Sequence, residues 1–245
     1  MQRVLVALAV FAGLTSAAPA HAQLPGRIRI VVDGGAQMPP TSFGQSFTLT
    51  KNAESAPVTT TLKPATGSFF DAGVRVRLVG PIGVGVVGFS ASSTANGSLD
   101  ARIPHPFFFN QLRPISGTLS GVERTETGAH MELDYTIAVS KFDITLFGGP
   151  SYISLQQALV TDVTYTEAYP FDTATFASAL STKAKKSGTG FNGGADVTWR
   201  LGKSFGLAGL VRYTGGTLSL EAAADNTADV KAGGVQVGGG LRIIF

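Results

Sequence analysis

The sequence has no cysteine among its 245 residues. This absence excludes a disulfide framework, a thiolate metal cluster and a thiol nucleophile. Charge is also scarce, because 14% of the residues are charged against roughly 25% in an ordinary soluble domain. The net charge of +3 is small, so we expect no nucleic-acid partner. With 44% hydrophobic residues the chain is not disordered. The next question is whether its apolar side chains point into a core or toward lipid.

The N-terminus has the features of an export signal. Arg3 precedes a short apolar run from Val4 to Leu14, and Ala20-His21-Ala22 has the small-x-small pattern of a cleavage site. The run is shorter than the roughly 20 residues that a membrane-spanning anchor needs. We therefore predict a cleaved signal peptide at 1–22 and one exported domain at 23–245.

Long apolar helices are also missing. The one further long uncharged segment, Leu78 to Leu99, contains Pro81 and five glycines, which makes a poor helix. A chain that crosses lipid without helices must close into a barrel, because every backbone polar group needs an internal partner. Alternation of polar and apolar side chains is therefore the decisive test.

Such alternation is present. In the last segment Val237, Leu241 and Phe245 share one face, while Gln236 and Arg242 share the other. A two-residue period is typical of a strand, whereas a helix would scatter these side chains around its surface. The same period predicts eight strands, at about 26–37, 66–79, 82–96, 127–139, 142–156, 188–201, 205–220 and 230–245.

The connections between these strands alternate in length. Three are short, at Gly80-Pro81, around Ser140-Lys141 and at Gly202-Lys203-Ser204. The others are rich in Ser, Thr, Pro and Asn and cover about 38–65, 99–126, 158–187 and 222–229. An even number of strands places both ends on the periplasmic side. The predicted fold class is all-β: an eight-stranded antiparallel transmembrane β-barrel with short periplasmic turns and long extracellular loops.

The C-terminal strand carries a resemblance. Gly240, Ile243 and Phe245 match the assembly signal of bacterial outer-membrane barrels, while Gly238 stands where that signal has a polar residue. With its export signal and alternation, the chain resembles the small eight-stranded outer-membrane barrels of Gram-negative bacteria, the OmpA-like transmembrane domain group. The resemblance implies insertion by the barrel assembly machinery after periplasmic chaperoning. We expect a monomer in contact with outer-membrane lipid and lipopolysaccharide.

The interior of such a barrel is just wide enough for side chains to fill. The assigned register points seven cations and six anions inward. These residues are Arg27, Arg29, Arg75, Arg77, Arg200, Arg212 and Arg242, with Asp33, Asp71, Glu132, Asp134, Asp143 and Asp196. We interpret them as a network of paired charges that plugs the barrel, because an unpaired charge there would carry a large desolvation cost. The alternative is an ion-selective pore lining.

Two histidines remain after removal of the signal. His105 and His130 lack the spacing of a metal site, and we expect no metal and no cofactor. His130 shares an inward face with Glu132 and Asp134, so a nearby serine would give an acyltransferase-like site of a lipid-modifying enzyme. The sequence has no G-x-S-x-G motif to select that serine, and membership of the interior polar network is the favoured interpretation of His130.

The long loops are the places where recognition is expected. Phe107, Phe108 and Phe109 follow the third strand and form either a contact for a partner or hydrophobic ligand, or an aromatic girdle and packed loop base, which we favour. Aromatic residues of the third long loop are expected to pack against them: Tyr165, Tyr169, Phe171 and Phe176. A lysine cluster in the same loop either faces lipopolysaccharide phosphates or is solvated: Lys183, Lys185 and Lys186.

The sequence is compatible with three functions. The first, which we favour, is a non-enzymatic integral outer-membrane protein whose loops contact the envelope surface or a partner. The second is a narrow channel or a carrier for small hydrophobic molecules, which requires a gap through the charged interior. The third is a lipid-modifying enzyme that uses His130.

Overall fold

The computed structural model describes residues 26–39, 41–223 and 226–245. The predicted signal peptide and its cleavage site lie outside these ranges. Ten strands account for the regular structure. They are β1 (Ile28–Met38), β2 (Phe43–Lys51), β3 (Glu54–Pro64), β4 (Gly67–Val79), β5 (Ile82–Pro104), β6 (Leu112–Val139), β7 (Phe142–Glu167), β8 (Ala174–Arg200), β9 (Phe205–Ala223) and β10 (Asn226–Ile244). In the described ranges no helix is long and apolar enough to cross a membrane.

Eight of the strands close into a ring. Its order is β1-β4-β5-β6-β7-β8-β9-β10, every pair is antiparallel, and β10 pairs with β1 again. Strands β2 and β3 form a hairpin that continues β1 and β4 and joins β5 through β3. The predicted eight-stranded antiparallel barrel is confirmed, with short turns at Gly80-Pro81, Ser140-Lys141 and 202–204.

The half of the ring next to these short turns is apolar outside and polar inside. We call it the barrel, and it comprises 28–38, 67–79, 82–92, 127–139, 142–152, 191–200, 205–214 and 235–244. Large apolar side chains such as Val86, Leu133 and Leu241 are exposed on its outer surface. The barrel strands have 10 to 13 residues, enough for the roughly 9–11 that a tilted strand needs to cross the hydrocarbon layer. The barrel therefore has the surface and the height of a membrane-spanning segment.

Beyond the barrel the strands continue and the pattern inverts. We call this part the crown, and it comprises the described residues of 43–64, 93–126, 153–190 and 215–234. Its interior is an apolar core that includes Leu62, Leu99, Leu159 and Leu220, all fully buried. Its outer surface carries Ser, Thr and charged side chains. The crown therefore has the polarity pattern of a sheet surrounded by water.

The crown corrects one prediction about the long connections. The segments 38–65, 99–126, 158–187 and 222–229 were expected to be loops, but most of their described residues form β2, β3 and the outer ends of β5 to β10. The Ser- and Thr-rich composition conceals the alternation, because in water the polar face of a strand consists of small hydroxyl residues. Within these connections, the loops among the described residues are the two-residue turn at Asn52-Ala53 and the tips at 105–111 and 168–173.

The ring of hydrogen bonds does not extend through the crown. Three ladders stop at its base. The last paired residues are Arg124 with Gln157 between β6 and β7, Phe191 with Gly215 between β8 and β9, and Met38 with Val235 between β1 and β10. Above these points the crown consists of a four-stranded sheet (β2-β3-β5-β6), a β7–β8 ribbon and a β9–β10 ribbon.

Candidate functional site

The middle of the barrel contains an ion-pair cluster. Glu132 accepts hydrogen bonds from Arg75, at 2.9 Å, and from Arg212, at 3.3 Å. Asp196 pairs with the same Arg75 and, at 3.4 Å, with Arg242. All five side chains are buried. Each shared carboxylate therefore links two guanidinium groups from different strands, which makes one network across the barrel interior.

Two further carboxylates complete the cluster. Asp71 pairs with Arg212 at 2.5 Å, and Asp33 pairs with Arg242 at 2.8 Å. Phe147 lies against two of the guanidinium groups, with its ring centroid 4.6 Å from Arg75 and 5.3 Å from Arg212. An aromatic face in this position stabilises the cations that the barrel holds away from water. Phe147 was not identified from the sequence as part of the network.

A second, smaller cluster lies near the short turns. Asp143 pairs with Arg29 at 3.1 Å and lies 3.5 Å from Arg200. Asp134 and Arg77 line a cavity of about 20 Å³ together with Arg29 and Arg75. That volume accommodates about one water molecule.

The structure separates the predicted network into connected and unconnected members. Ten of the thirteen residues form the ion pairs described above. Asp134 and Arg77 face the cavity without an ion pair to another described residue. Arg27 lines the same cavity, as its predicted inward direction requires, but it lies at the open end of the barrel and is exposed. The alternation continues past the end of the hydrogen-bonded β1, where an inward position faces solvent.

A layer of amides and one ion pair covers the central cluster on the crown side. Gln236 contacts Arg212 at 3.3 Å and donates to Gln37 at 2.8 Å, and Gln37 donates to Glu126 at 3.2 Å. Glu126 in turn pairs with Arg124 at 2.6 Å. This layer was not predicted, because 99–126 resembles a loop in sequence and amide side chains carry no charge that marks them as interior. A count of every inward polar side chain, amides included, would have included Gln37 and Gln236.

His130 is close to a serine. Its Nδ1 lies 2.8 Å from the Oγ of Ser151, which also accepts a hydrogen bond from Asn192 at 3.0 Å. The imidazole stacks on Phe89 with 4.3 Å between ring centroids. All four side chains are buried inside the barrel. A hydroxyl next to an imidazole is the start of a nucleophile–base pair, but this one faces the filled interior rather than the lipid.

The aromatic residues at the end of β5 lie at the outer tip of the crown. Phe107, Phe108 and Phe109 are 70%, 59% and 77% exposed. Phe107 packs edge-on against Phe171, with 5.5 Å between centroids, and Tyr169 packs against Phe171 at 6.1 Å. We call these five residues the aromatic tip.

The aromatic tip overturns two expectations. The three phenylalanines were expected to form a girdle or a packed loop base, yet β5 carries them far beyond the last lipid-facing residues of the barrel. Tyr169 and Phe171 contact the cluster as expected, whereas Tyr165 and Phe176 pack against the crown core instead. The reason is the length of the strands, which extend well beyond their predicted ends.

Buried polar residues support the tip from below. His105 is buried, and its Nδ1 accepts hydrogen bonds from the backbone N–H groups of Phe107, at 3.1 Å, and Phe108, at 3.2 Å. Arg113 donates to the carbonyl oxygens of Pro104, at 2.9 Å, and Phe171, at 2.8 Å. The loop at 105–111 and the loop at 168–173 are therefore fixed to each other.

Ion pairs between parts of the crown lie outside the membrane-spanning barrel. Lys183 of the predicted lysine cluster pairs with Glu123 at 2.6 Å, and both are exposed. The hydrogen bond and charge of Lys183 lower the pKa of the Glu123 carboxyl. Lys51 pairs with Asp162 at 2.8 Å. Partial burial opposes ionisation of Asp162, but the hydrogen bonds from Lys51 and the Val163 N–H outweigh it and lower its pKa.

The residues of the predicted assembly signal lie at the closing seam of the ring. The N–H of Phe245 donates to the carbonyl oxygen of Ile28 at 2.9 Å. A Cβ at Gly240 would lie 1.9 Å from the carbonyl oxygen of Val32 and 2.4 Å from the Asp33 carboxylate. Gly240 therefore has a packing role beside the Asp33–Arg242 ion pair, independent of any role in assembly. Ile243 is half-buried in the same strand.

No family model matches the sequence, and no curated protein matches it. Solved structures do match. Neisserial surface protein A is 9% identical, with 89% of this chain and 97% of that chain covered at a TM-score of 0.47. The outer membrane protein OprG from Pseudomonas aeruginosa is 11% identical, with 90% and 96% covered at 0.49. The outer membrane protease OmpT from Escherichia coli is 8% identical, with 90% and 97% covered at 0.44.

The geometry of the chain itself has the features of an outer-membrane barrel. The barrel described above has the inverted polarity, closed ring and strand length of that architecture. By its closed ring and its apolar outer face, the chain is thus an outer-membrane-type β-barrel.

Proposed function

We propose that this protein is a non-enzymatic, non-conducting outer-membrane barrel that presents a β-sheet crown to the outside of the cell, and that the aromatic tip is its contact with a partner. The observation that carries the proposal is the exposure of Phe107, Phe108 and Phe109 on a supported loop at the end of a filled barrel.

The filled interior favours a structural barrel over a channel. Ion pairs occupy the barrel, and the apolar core occupies the crown above them. An ion that crosses would have to displace both a paired charge layer and closely packed side chains, and each displacement is costly. The barrel is therefore a support for the crown.

Planar-bilayer conductance tests this part of the proposal. We expect the purified protein to give no reproducible conductance steps. Stable unitary steps would overturn the non-conducting barrel and favour the narrow channel.

The aromatic tip supports a contact function because large exposed apolar clusters on a protein surface mark interaction sites. His105 and Arg113 hold the tip in one conformation, so a partner would bind it at a low cost in conformational entropy. The partner offers an apolar surface to the phenyl rings.

Retention of whole cells on phenyl-coated beads tests the tip. Cells that carry the protein should be retained, and a Phe107→Ser/Phe108→Ser/Phe109→Ser variant should not be. Thr59→Ala/Thr61→Ala, on the outer face of the crown, is the matched control and should behave as wild type. Equal retention of all three would overturn the proposal for the tip.

The location is part of the same proposal. Export through the signal peptide at 1–22 would deliver the chain to the periplasm, and the barrel assembly machinery would insert it next to lipopolysaccharide. Mass spectrometry of protein from isolated outer membranes should find Gln23 at the N-terminus. Recovery in the inner membrane with residues 1–22 attached would contradict this location.

One observation favours a second candidate, a lipid-modifying enzyme. Ser151 and His130 are within hydrogen-bonding distance, as a nucleophile and its base must be. This candidate predicts that Ser151→Ala and His130→Ala both abolish a change in lipid A or phospholipid acylation that the wild-type protein produces. An identical lipid profile in a deletion strain would exclude it.

A further inference from the structure

The β9–β10 ribbon differs from the rest of the crown in its connections. Its described crown segments are 216–221 and 227–232. They pair with each other, but β9 has no ladder to β8 beyond Gly215 and β10 has none to β1 or β2 beyond Val235. Both outer edges of the ribbon therefore lack the main-chain hydrogen bonds that would hold it in the ring.

Glycines occupy both strands at the base of this ribbon. Gly215 and Gly216 lie on β9, and Gly233 and Gly234 lie on β10, with Gly215 directly opposite Gly233. Gly233 and Gly234 have φ angles of +89° and +132°, which residues with a side chain rarely adopt. Both strands of the ribbon therefore have flexible glycine backbone at the same distance from the barrel, which is the arrangement of a hinge.

Side-chain contacts between parts of the crown reinforce the difference. The β7–β8 ribbon is joined to the four-stranded sheet along its length, through Gln45 with Val160, Lys51 with Asp162, Arg113 with Glu167 and Lys183 with Glu123. Polar contacts of the β9–β10 ribbon with other parts of the described chain lie at its base, where Arg124 donates to the Lys231 carbonyl and Glu126 accepts from the Gly233 N–H.

The inner face of the β9–β10 ribbon is apolar. Five of its side chains point into the crown core and are buried: Leu218, Leu220, Ala228, Val230 and Ala232. The outer face carries polar residues such as Ser219 and Asp229, which bond to each other within the ribbon. In the described segments, apolar packing thus holds the upper ribbon against the core, and another apolar group can replace this packing.

We propose that the β9–β10 ribbon is a flap that turns about the glycines at its base, and that the crown core beneath it is a binding site for an aliphatic chain. The lining is apolar and largely aliphatic, with side chains from every part of the crown that include Leu62, Leu99 and Leu159. The layer of Gln37, Arg124 and Glu126 closes the site from below, so a bound chain stays within the crown. The proposal does not depend on the aromatic tip or its partner.

The absence of cysteine makes thiol labelling a direct test of flap opening. Leu220→Cys lies on the flap, while Leu99→Cys and Leu159→Cys lie on the inner faces of the four-stranded sheet and the β7–β8 ribbon. All three positions are 0% exposed. We expect a maleimide to label Leu220→Cys at least about tenfold faster than the two controls, because local opening exposes one segment without global unfolding. Equal rates for the three variants would overturn the flap.

Each variant is first checked for folding by its mobility in unheated detergent gels. If Leu220→Cys fails to fold, Val230→Cys on the other strand of the flap replaces it, since this position is also buried and apolar.

Photocrosslinking with a diazirine-bearing twelve-carbon fatty acid tests the ligand. With the protein in lipid nanodiscs, we expect adducts in 216–221 or 227–232 that excess laurate suppresses. Adducts confined to the lipid-facing residues of the barrel, or adducts in the crown that laurate does not suppress, would overturn the binding site. The labelling rates and the crosslinked positions do not depend on whether the barrel conducts ions or the aromatic tip binds a partner. Failure of the proposed function would therefore leave both results unchanged.

Discussion

Arg212 of β9 and Asp71 of β4 meet inside the barrel with 2.5 Å between Nη1 and Oδ2, and neither side chain is exposed. These strands are far apart in the ring, so the ion pair spans the interior rather than joining neighbours. The same arginine contacts Glu132 and Gln236. Arg212 therefore connects the central ion pairs with the amide layer above them.

Replacement of Arg212 by methionine should destabilise the barrel strongly. It leaves Asp71 as a buried charge without its partner, and such losses cost about 3–5 kcal/mol. Urea unfolding in detergent micelles, followed by gel mobility, measures the change. Addition of Asp71→Asn to Arg212→Met should recover part of the loss, because it removes the unpaired charge. A double variant no more stable than Arg212→Met would contradict this account of the network.

Removal of Arg242 tests the neighbouring ion pairs. Arg242→Ala leaves Asp33 without its partner at 2.8 Å and removes one of the two partners of Asp196. The expected loss is again about 3–5 kcal/mol, visible as a lower temperature for the mobility shift on heating. An unchanged temperature would mean that these carboxylates are paired by other groups.

The Phe147 ring makes its own contribution to the stability of the barrel, separate from that of the ion pairs. Phe147→Leu keeps the site apolar but removes the ring face from Arg75 and Arg212, and the expected loss is about 2 kcal/mol of unfolding free energy. Phe142→Leu on the same strand is the matched control, because Phe142 is exposed on the lipid-facing side. Equal effects of the two substitutions would show that the ring face has no special role.

His105 should control the order of the aromatic tip. His105→Ala removes the acceptor of the Phe107 and Phe108 N–H groups, so hydrogen exchange at these two amides should become at least about tenfold faster. His105→Asn should restore slow exchange, since an asparagine oxygen accepts from the backbone two and three residues later. Unchanged exchange in His105→Ala would show that the tip is ordered by ring packing alone.

The packing role of Gly240 can be separated from a general effect of glycine removal. Gly240→Ala should lower the yield of folded barrel, because its Cβ would overlap the Val32 carbonyl and the Asp33 carboxylate. Gly202→Ala introduces the same methyl group in a turn with no atom within 4 Å and should fold normally. The folded fraction in unheated gels gives the comparison, and a normal yield for Gly240→Ala would contradict the observed packing.

Local patterns were enough to predict the barrel. Val237, Leu241, Gln236 and Arg242 alternate as the structure places them, because one side of each barrel strand contacts lipid and the other contacts charged residues. The crown was harder to predict, since residues such as Thr59 and Thr61 resemble a loop when they are read without the buried Val58 and Leu62 on either side. The same alternation continues there with its polarity reversed.

For the candidate site residues, too, one property could be predicted from the sequence and another could not. The inward direction of Asp33, Asp71 and Arg212 follows from strand period alone. Their partners do not, because Arg212 and Asp71 are 141 positions apart and meet through closure of the ring. Ser151 approaches His130 for a similar reason, as the two residues oppose each other on paired strands.

By itself, the sequence determined which segments form strands in the barrel, which of their faces contacts lipid, and the presence of a charged interior. Only the tertiary structure decided which charges pair, that the long connections form a crown with an apolar core, and that Phe107, Phe108 and Phe109 are exposed at its tip. The physical reason is range: alternation is a property of neighbouring residues, whereas ion pairing, core formation and exposure depend on strands that chain closure brings together.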